Sequence, residues 1–291
     1  MHFRSRSDRW FDYANYTLLS LLLLVVMYPL FFIVIASISD PNSVNLGRVW
    51  LLPEGVTFEG YEKIFQDDIL WNGYKNTIAY MAVGTAINVA MTVTGAYPLS
   101  RKDMYGRGFF MFLITFTMFF SGGLIPTYLL VRDLQLMNTM WALILPGAVS
   151  VWNLIITRTF FQFSIPDELR EAAAMDGCSD FRFFLQIVLP LSKAIVAVQV
   201  LFYGVSHWNA YFSALIYLRD EEMYPLQLIL RNILIQNEAT ELLNLNQESA
   251  TNLSETIKYG VIIVASVPVL VLYPFLQKYF VKGVMIGSLK G

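Results

Sequence analysis

Long apolar runs separated by polar stretches set the pattern of this chain. Six runs contain no Asp, Glu, Lys or Arg, and they cover residues 13–39, 76–100, 108–131, 134–157, 194–218 and 259–277. Each run is close to or above the roughly 20 residues that an apolar helix needs to cross the hydrocarbon core of a bilayer. Backbone in lipid must satisfy its own hydrogen bonds, which favours helices. The pattern therefore predicts an all-α membrane protein with six transmembrane helices.

The third run carries its own irregularity. Gly122 and Gly123 lie shortly before Pro126, and this combination predicts a broken or kinked helix. A moving gate and close packing between helices both explain such a break.

Two long polar loops, residues 40–75 and 219–258, separate runs on one side of the predicted bundle. In the first loop, Tyr61, Ile64 and Phe65 have helical spacing, which predicts a short lateral helix on the membrane surface. The second loop is acidic late in its course, at Glu238, Glu241, Glu248 and Glu255. A solvated loop and a docking surface for an external protein both fit this acidity.

Composition supports the membrane interpretation. Hydrophobic residues make up 56% of the 291-residue chain and charged residues 14%, whereas soluble domains average about 25% charged. The net charge of −2 is uninformative about nucleic acid, and no basic block suggests a nucleic-acid partner. Cys178 is the only cysteine, and His2 and His207 are far apart, so we expect neither a disulfide nor a metal site.

Lys and Arg counts predict the orientation. Thirteen of these residues fall on the side that holds both termini, against seven on the side of the two long loops. The positive-inside rule therefore places both termini in the cytoplasm. Arg4, Arg6 and Arg9 before an apolar stretch also imitate a signal peptide. That stretch, 17–36, is longer than a signal h-region, which favours an uncleaved first span, with cleavage as the alternative.

The polar stretch 164–193, called the coupling segment below, carries ordered helix signals. Ser164 and Asp167 have the spacing of a capping box, with Pro166 in the first turn. Gly177 predicts a left-handed helix end. Ser179 and Asp180 then predict the start of a second short helix.

The second helix of the coupling segment has a predicted apolar face and a predicted end. The residues at helical spacing on that face are Phe181, Phe184, Leu185 and Val188. Pro190 is expected to disturb or end this helix where the next apolar run begins.

Within this segment lies a spaced motif: EAA, a Gly six residues after its Glu, and I-x-L-P ten residues after that Gly. It resembles the EAA loop of permease subunits of binding-protein-dependent ABC importers. The resemblance implies a cytoplasmic loop whose first helix docks into a cleft of an ATPase subunit. The residues implied in ATPase coupling are Glu171, Ala172, Ala173, Asp176, Gly177, Ile187, Leu189 and Pro190. An ordinary amphipathic connector is the alternative.

The resemblance extends along most of the chain. Residues 75–281, with the coupling segment, are similar to the type I ABC importer permease (MetI-like) core, and 1–74 look like its usual N-terminal addition. Residues 120–127, 138–152 and 277–291 resemble the carbohydrate-type, maltose-type second permease, in the branch for complex oligosaccharides. Tyr224, Pro225 and Leu226 resemble that family's external re-entrant segment. The tail 282–291 is implied to be a cytoplasmic segment that reaches between ATPase subunits, with a frayed terminus as the alternative.

The resemblance also implies partners and a location. The chain is expected in the bacterial cytoplasmic membrane with a second, different permease, two ATP-binding subunits that carry ATP and Mg, an extracytoplasmic solute-binding protein and an oligosaccharide. The chain has no phosphate-binding GxxxxGKS or GxxxxGKT loop, no acidic residue in a predicted span and no catalytic constellation. We therefore expect a permease without enzymatic activity or cofactor of its own. A non-sugar ABC permease, a secondary glycan carrier and a membrane glycosyl-transferring enzyme are the alternatives.

Polar and aromatic residues cluster in the fifth run. Polar groups in a span are costly unless they face a bundle interior or a water-filled path, and aromatic faces suit stacking on sugar rings. The candidate substrate-pathway residues are Ser206, His207, Trp208, Asn209, Tyr211 and Phe212. The alternative is an interfacial aromatic belt with small polar residues that pack helices together.

Overall fold

The computed structural model describes residues 6–243, 257–271 and 274, and these residues form helices and connecting turns without a strand. The first helices are α1 (Arg6–Ser37), α2 (Pro41–Asn45), α3 (Glu59–Gln66), α4 (Asp68–Ser100), α5 (Arg107–Phe119), α6 (Leu124–Asp133), α7 (Trp141–Ile144) and α8 (Val151–Ser164). They are followed by α9 (Asp167–Met175), α10 (Asp180–Phe183), a π-helical turn (Phe184–Val188), α11 (Leu189–Leu191), α12 (Lys193–Trp208) and α13 (Phe212–Tyr217). A 3₁₀ turn (Glu221–Met223), α14 (Leu226–Leu243) and α15 (Ile257–Val271) complete the described elements.

The described residues divide into two compact units: the first lies within 1–68 and 230–267, and the second within 69–229 and 268–291. In the first unit, α1 is followed by α2 and then by α3, which contains Tyr61, Ile64 and Phe65 and confirms that a short helix forms there. The Tyr61 hydroxyl of α3 donates to Ser37 Oγ at 2.8 Å. Phe32 of α1 and Tyr259 of α15 meet edge to face at 5.9 Å between ring centroids.

The second unit is built around α4. This helix has 33 residues and is about 50 Å long at about 1.5 Å per residue. One core cluster packs side chains of α4 against α8, the coupling segment and α12. Its buried members are Val93, Ala96, Leu99, Leu154, Phe161, Ala173, Phe183, Phe184, Val188 and Ile195.

Two described helices, α1 from Arg9 onward and α4, are long and apolar enough to cross a membrane. Two helix pairs pass the same test together but are sharply bent: α5 with α6 by 111°, and the stretch Asp180–Leu191 with α12 by 79°. Counting each pair as one span gives four spans, so the described residues do not confirm the six-span prediction. The sixth predicted run extends beyond α15 into residues outside the description.

The predicted break in the third run is confirmed. Residues 120–123 separate α5 from α6, and Gly123 has φ of +88°, a value that glycine adopts without the Cβ penalty. The fourth run, 134–157, does not form one helix as predicted. It divides into α7, a turn and the beginning of α8, where Pro146 and Gly147 disfavour a continuous helix.

The interpretation of 219–258 as a loop is wrong for residues 226–243. Residues 226–243 form α14, and its first turns bury Leu226, Leu228, Ile229 and Leu230. The apolar spacing of these residues indicates a helix. The loop prediction rested instead on the acidic residues further along the chain. Glu248 and Glu255 lie outside the described residues.

Gly73 provides a stability test for the start of α4. A Cβ on Gly73 would lie 3.2 Å from the Leu226 Cα and 3.3 Å from its backbone nitrogen, as well as against the Ile229 side chain. Backbone atoms cannot move aside as a flexible side chain can. We therefore expect Gly73→Ala to lower the free energy of unfolding by about 1–3 kcal/mol, the usual cost of overpacking.

The measurement is the thermal unfolding midpoint of the purified chain in detergent. Gly204→Ala is the matched control, because its Cβ would be 3.8 Å from Thr85 Oγ1, an ordinary contact. Equal midpoints for the two variants would contradict the close approach of α4 and α14.

Candidate coupling segment and polar pocket

The coupling segment starts differently from the prediction. α9 has Pro166 as its N-cap residue, without a side-chain cap, so the predicted capping box of Ser164 and Asp167 is wrong. Ser164 is the last residue of α8, and its buried hydroxyl has no hydrogen-bond partner. A residue in helical conformation cannot serve as the extended N-cap of the next helix.

The predicted left-handed end of α9 is confirmed at Gly177, whose φ is +73°. The Gly177 N–H donates to Ala174 O at 3.0 Å, and the Cys178 N–H donates to Ala173 O at 2.9 Å. This pair of hydrogen bonds is the Schellman motif, which satisfies carbonyls left free at a helix end.

The second helix of the segment begins as predicted, because Ser179 Oγ accepts from the Arg182 N–H at 3.4 Å. Its predicted apolar face is only partly correct. Phe184 and Val188 are buried, as is Phe183, but Phe181 is 72% exposed and Leu185 is exposed as well. The buried residues Phe183, Phe184 and Val188 still follow helical spacing, so the prediction had the helical period right and the position of the apolar face wrong.

The end of this helix matches the expectation for Pro190. The chain continues for two residues to Ser192, where the direction changes by 79° into α12.

The EAA-type residues divide between surface and core. Ala173 is buried, and Ile187 and Leu189 pack partly buried against the same core cluster. The exposed members are Glu171, Ala172, Asp176, Gly177 and Pro190. Glu171 and its neighbours are therefore exposed, whereas Ala173, Ile187 and Leu189 attach the segment to the core.

Charged residues of the α4–α5 connection bind the coupling segment. Arg101 contacts Asp103 with two hydrogen bonds, of 2.6 and 2.9 Å, and Asp180 of α10 with a third of 2.6 Å. Arg170 of α9 donates to Asp103 at 3.1 Å. A separate pair joins Lys102 to Asp167 of α9 at 2.8 Å. We call these contacts the α4-end network.

The network keeps Asp103 and Asp167 ionised. The hydrogen bonds from Arg101, together with its charge and that of Arg170, lower the pKa of Asp103 to about 2. The hydrogen bond from Lys102 and its charge lower the pKa of Asp167. Both carboxylates are therefore charged at physiological pH, and any contribution of Asp103 to stability is lost only as the pH falls through the acid range toward its folded-state pKa.

A polar pocket of about 570 Å³ lies in the same unit, among α4, α7, α8, α12 and α13. Its polar side chains include those of Asn88, Ser150, Asn153, Tyr203, Ser206 and His207. None of the residues that line this pocket is Asp, Glu, Lys or Arg.

Asn88 is the central hydrogen-bonding residue of the pocket wall. Its amide nitrogen donates to Gly147 O at 3.0 Å and to Ala148 O at 2.8 Å, and its amide oxygen lies 2.7 Å from His207 Nε2. Four residues further along α4, Thr92 Oγ1 lies 2.7 Å from the Tyr203 hydroxyl, which also accepts from the Ser150 N–H at 3.0 Å. Helices α4 and α12 are thus joined by side-chain hydrogen bonds in a buried setting.

The structure brings two of the six predicted pathway residues, Ser206 and His207, to this pocket. The other four do not line it. Trp208 is buried and approaches Tyr74 at 6.2 Å between ring centroids, Asn209 donates to the Val205 carbonyl, and Tyr211 and Phe212 are exposed.

Sequence reasoning missed Asn88, Asn153 and Tyr203. Isolated polar residues inside apolar runs were the available signal, because such groups are expensive in a membrane unless they are paired or functional.

The N-terminal turns of α4 bind segment 222–226. This segment contains Tyr224, Pro225 and Leu226, the residues that resemble a re-entrant segment. Asn72 and Asn76 each donate to Glu222 O at 2.7 Å, and the Tyr80 hydroxyl donates to Met223 O at 2.9 Å. The buried Leu226 N–H donates to Thr77 Oγ1 at 2.8 Å. Consecutive turns of α4 therefore fix this segment.

Comparison with known proteins identifies the class. Residues 1–286 match the family described as "Binding-protein-dependent transport system inner membrane component". The chain belongs to this family of membrane transport permeases, and it is a multi-pass protein of the cell membrane. It is the translocation subunit of a binding-protein-dependent ABC importer.

Individual relatives cover nearly the whole chain. The "Polygalacturonan/rhamnogalacturonan transport system permease protein YtcP" of Bacillus subtilis (strain 168) is 41% identical, over 98% of this chain and 99% of the relative. "Protein LplC" of the same organism is 39% identical, over 100% of this chain and 98% of the relative. A chain of a bacterial ABC transporter involved in the import of the acidic polysaccharide alginate, solved by crystallography, has a TM-score of 0.87 at 37% identity, and the match covers 96% of this chain and 100% of that one.

Proposed function

We propose that this chain forms half of the membrane pathway for an oligosaccharide, as the second permease of a heterodimer. A solute-binding protein delivers the saccharide from outside, and two ATP-binding subunits, with ATP and Mg, drive the conformational cycle. The observation that carries the saccharide assignment is the polar pocket, whose volume is typical of small-molecule sites. The relatives named for polysaccharide import support the same substrate class.

The pocket has the chemistry that hydroxyl-rich rings require. Asn153, Ser206 and Ser213 offer amide and hydroxyl groups, and Phe202 and Tyr217 add aromatic surface. Neutral donors and acceptors suit a substrate that must be released, because charge-assisted hydrogen bonds are roughly twice as strong. The pocket therefore favours weak, repeated contacts with sugar hydroxyls along a path.

The coupling segment supplies the other half of the function. Glu171 is exposed near the middle of α9, and α9 is anchored through Ala173 to the core. We assign α9 as the cytoplasmic helix that docks in the ATPase cleft. Six spans, both termini in the cytoplasm and a C-terminal tail that contacts the ATPase complete this proposal.

Gentle purification of the tagged chain from its native membrane tests the proposal. We expect a second multi-span permease and an ATP-binding subunit to co-purify. The associated solute-binding protein should bind saccharides when screened against neutral and acidic glycans, phosphorylated polyols and peptides. A chain that purifies alone and catalyses uptake into vesicles without ATP would contradict the importer, and a binding protein selective for a non-sugar solute would contradict the saccharide assignment.

A further inference from the structure

Helix α4 contacts three regions of its unit that the proposed function uses. Its first turns hold segment 222–226. Its middle carries Asn88 and Thr92, which bind residues of the polar pocket. The connection that directly follows its last residue, Ser100, binds the coupling segment through the α4-end network.

The coupling segment is attached to the α4–α5 connection by a network of ion pairs and not by a single pair. The Arg101 side chain is only 18% exposed, and it contacts two carboxylates, Asp103 and Asp180, at 2.6 Å each. Asp103 in turn contacts Arg170 of α9. Isolated exposed ion pairs contribute little, whereas networks with two-point Arg–carboxylate geometry are the exception. Asp103 is the residue that joins α9 to Arg101.

The end of α4 is also fixed to α8. Arg158 Nε donates to Leu99 O at 2.9 Å, and Gln162 Nε2 donates to Ser100 O at 3.3 Å. These bonds satisfy carbonyls that lack partners at the end of a helix. The C-terminal end of α4 is therefore held in place by α8, and a displacement of α9 acts on this fixed end.

Two covalent routes lead from α9 to the pocket: α8, which lines it with Asn153, joins α9 through Ile165 and Pro166, and the route toward α12 is less direct. It passes through the Gly177 turn, the π-helical turn and the 79° change of direction at Ser192 before it reaches α12. Such interruptions are where helices bend. In contrast, α4 is continuous from Asp68 to Ser100, including Pro98 near its end. Twelve residues separate Asn88 from Ser100, or about 18 Å of helix.

We propose that α4 transmits the displacement of the coupling segment to the polar pocket, and that Asp103 is a positioning residue that makes this transmission possible. This proposal rests on the proposed function, because it takes α9 as the docking helix and the pocket as the pathway. Asp103 does not touch the substrate or ATP. It fixes α9 to α4, and α4 then moves Asn88 and Thr92 relative to α12.

A double-mutant cycle in the assembled importer, reconstituted in proteoliposomes, tests the proposal. Asp103→Asn keeps the shape of the side chain and removes its charge. We expect it to reduce saccharide transported per ATP hydrolysed about fivefold, within the range by which residues along a coupling route act. Asp103→Glu should recover most of that loss, because it restores the charge.

The second position of the cycle is Asn88→Ala, with Thr92→Val as a substitute if Asn88→Ala fails to fold. Combined with Asp103→Asn, either variant should cause little loss beyond the larger single effect. Ser206→Ala is the control, because Ser206 lines the pocket and has no hydrogen bond to α4 among the contacts described. Its effect should multiply with that of Asp103→Asn, as effects of distant independent sites do.

Multiplicative effects for Asn88→Ala, or an unchanged transport-to-ATP ratio in Asp103→Asn, would overturn the proposal. A loss of ATPase association in Asp103→Asn would also overturn it, since the network would then serve docking alone. The cycle is repeated on ATP hydrolysis stimulated by the binding protein. If the wild type transports no saccharide, the proposed function fails on its own, and the stimulated hydrolysis still decides the role of α4.

Discussion

Gly177→Val is expected to reduce coupled transport at least tenfold in the assembled importer. Gly177 adopts φ of +73° at the end of α9, in the left-handed region that costs a residue with a Cβ about 1–2 kcal/mol. A β-branched residue is a stronger outlier there. A Cβ at this position would meet no atom within 4 Å, so the penalty comes from the backbone and not from a clash. Valine should therefore unwind the Schellman turn and change the direction of α9.

The measurement is saccharide uptake into proteoliposomes that contain the complete importer, with ATP hydrolysis followed in parallel. Gly177→Asn is the matched control, because asparagine tolerates the left-handed region, and it should keep most of the transport. Wild-type uptake in Gly177→Val would exclude the turn as a determinant of coupling. Equal losses in the Val and Asn variants would show that side-chain size, not backbone conformation, matters here.

Gly84→Ala is the second substitution with a large expected effect, about tenfold in transport, the equivalent of about 1.4 kcal/mol. A Cβ on Gly84 would lie 2.5 Å from His207 Nε2 and 2.6 Å from His207 Cε1. The imidazole must then move, and its 2.7 Å contact with the Asn88 amide oxygen is lost. The pocket wall changes shape while the coupling segment remains intact, so basal ATP hydrolysis should persist.

The His207→Ala background identifies the cause. If displacement of the imidazole explains the loss, Gly84→Ala should have no further effect once the imidazole is absent. A second loss of similar size in the His207→Ala background would contradict the mechanism. Gly204→Ala, on the facing helix, is the control for adding a methyl group without a close contact.

Much of the fold could be predicted because its signals are local. The apolar runs located α1 and α4, Gly122 and Gly123 located the break between α5 and α6, and Gly177 located the end of α9. These features depend on local composition or on one backbone conformation. The division of run 134–157 at Pro146 and Gly147 and the apolar spacing at the start of α14 are also local signals, but a search for charge-free runs does not register them.

The candidate site shows the same contrast. The spaced motif of the coupling segment predicts Glu171 and Gly177 as coupling residues, but it does not indicate the α4-end network. Arg101 and Asp180 are 79 residues apart along the chain, and only the tertiary structure brings them together. The pocket depends on side-chain direction, so Ser206 and His207 line it while their neighbours Trp208 and Asn209 do not.

The cysteine that follows the Gly177 turn offers a spectroscopic use of the native chain. Cys178 is the only thiol in 291 residues, it is partly exposed, and its N–H closes the Schellman hydrogen bond to Ala173. A fluorophore or spin label attached there would occupy one defined position beside α9, without any engineered residue. Distance changes measured from that label during ATP turnover would report the motion of α9 directly in the wild-type sequence.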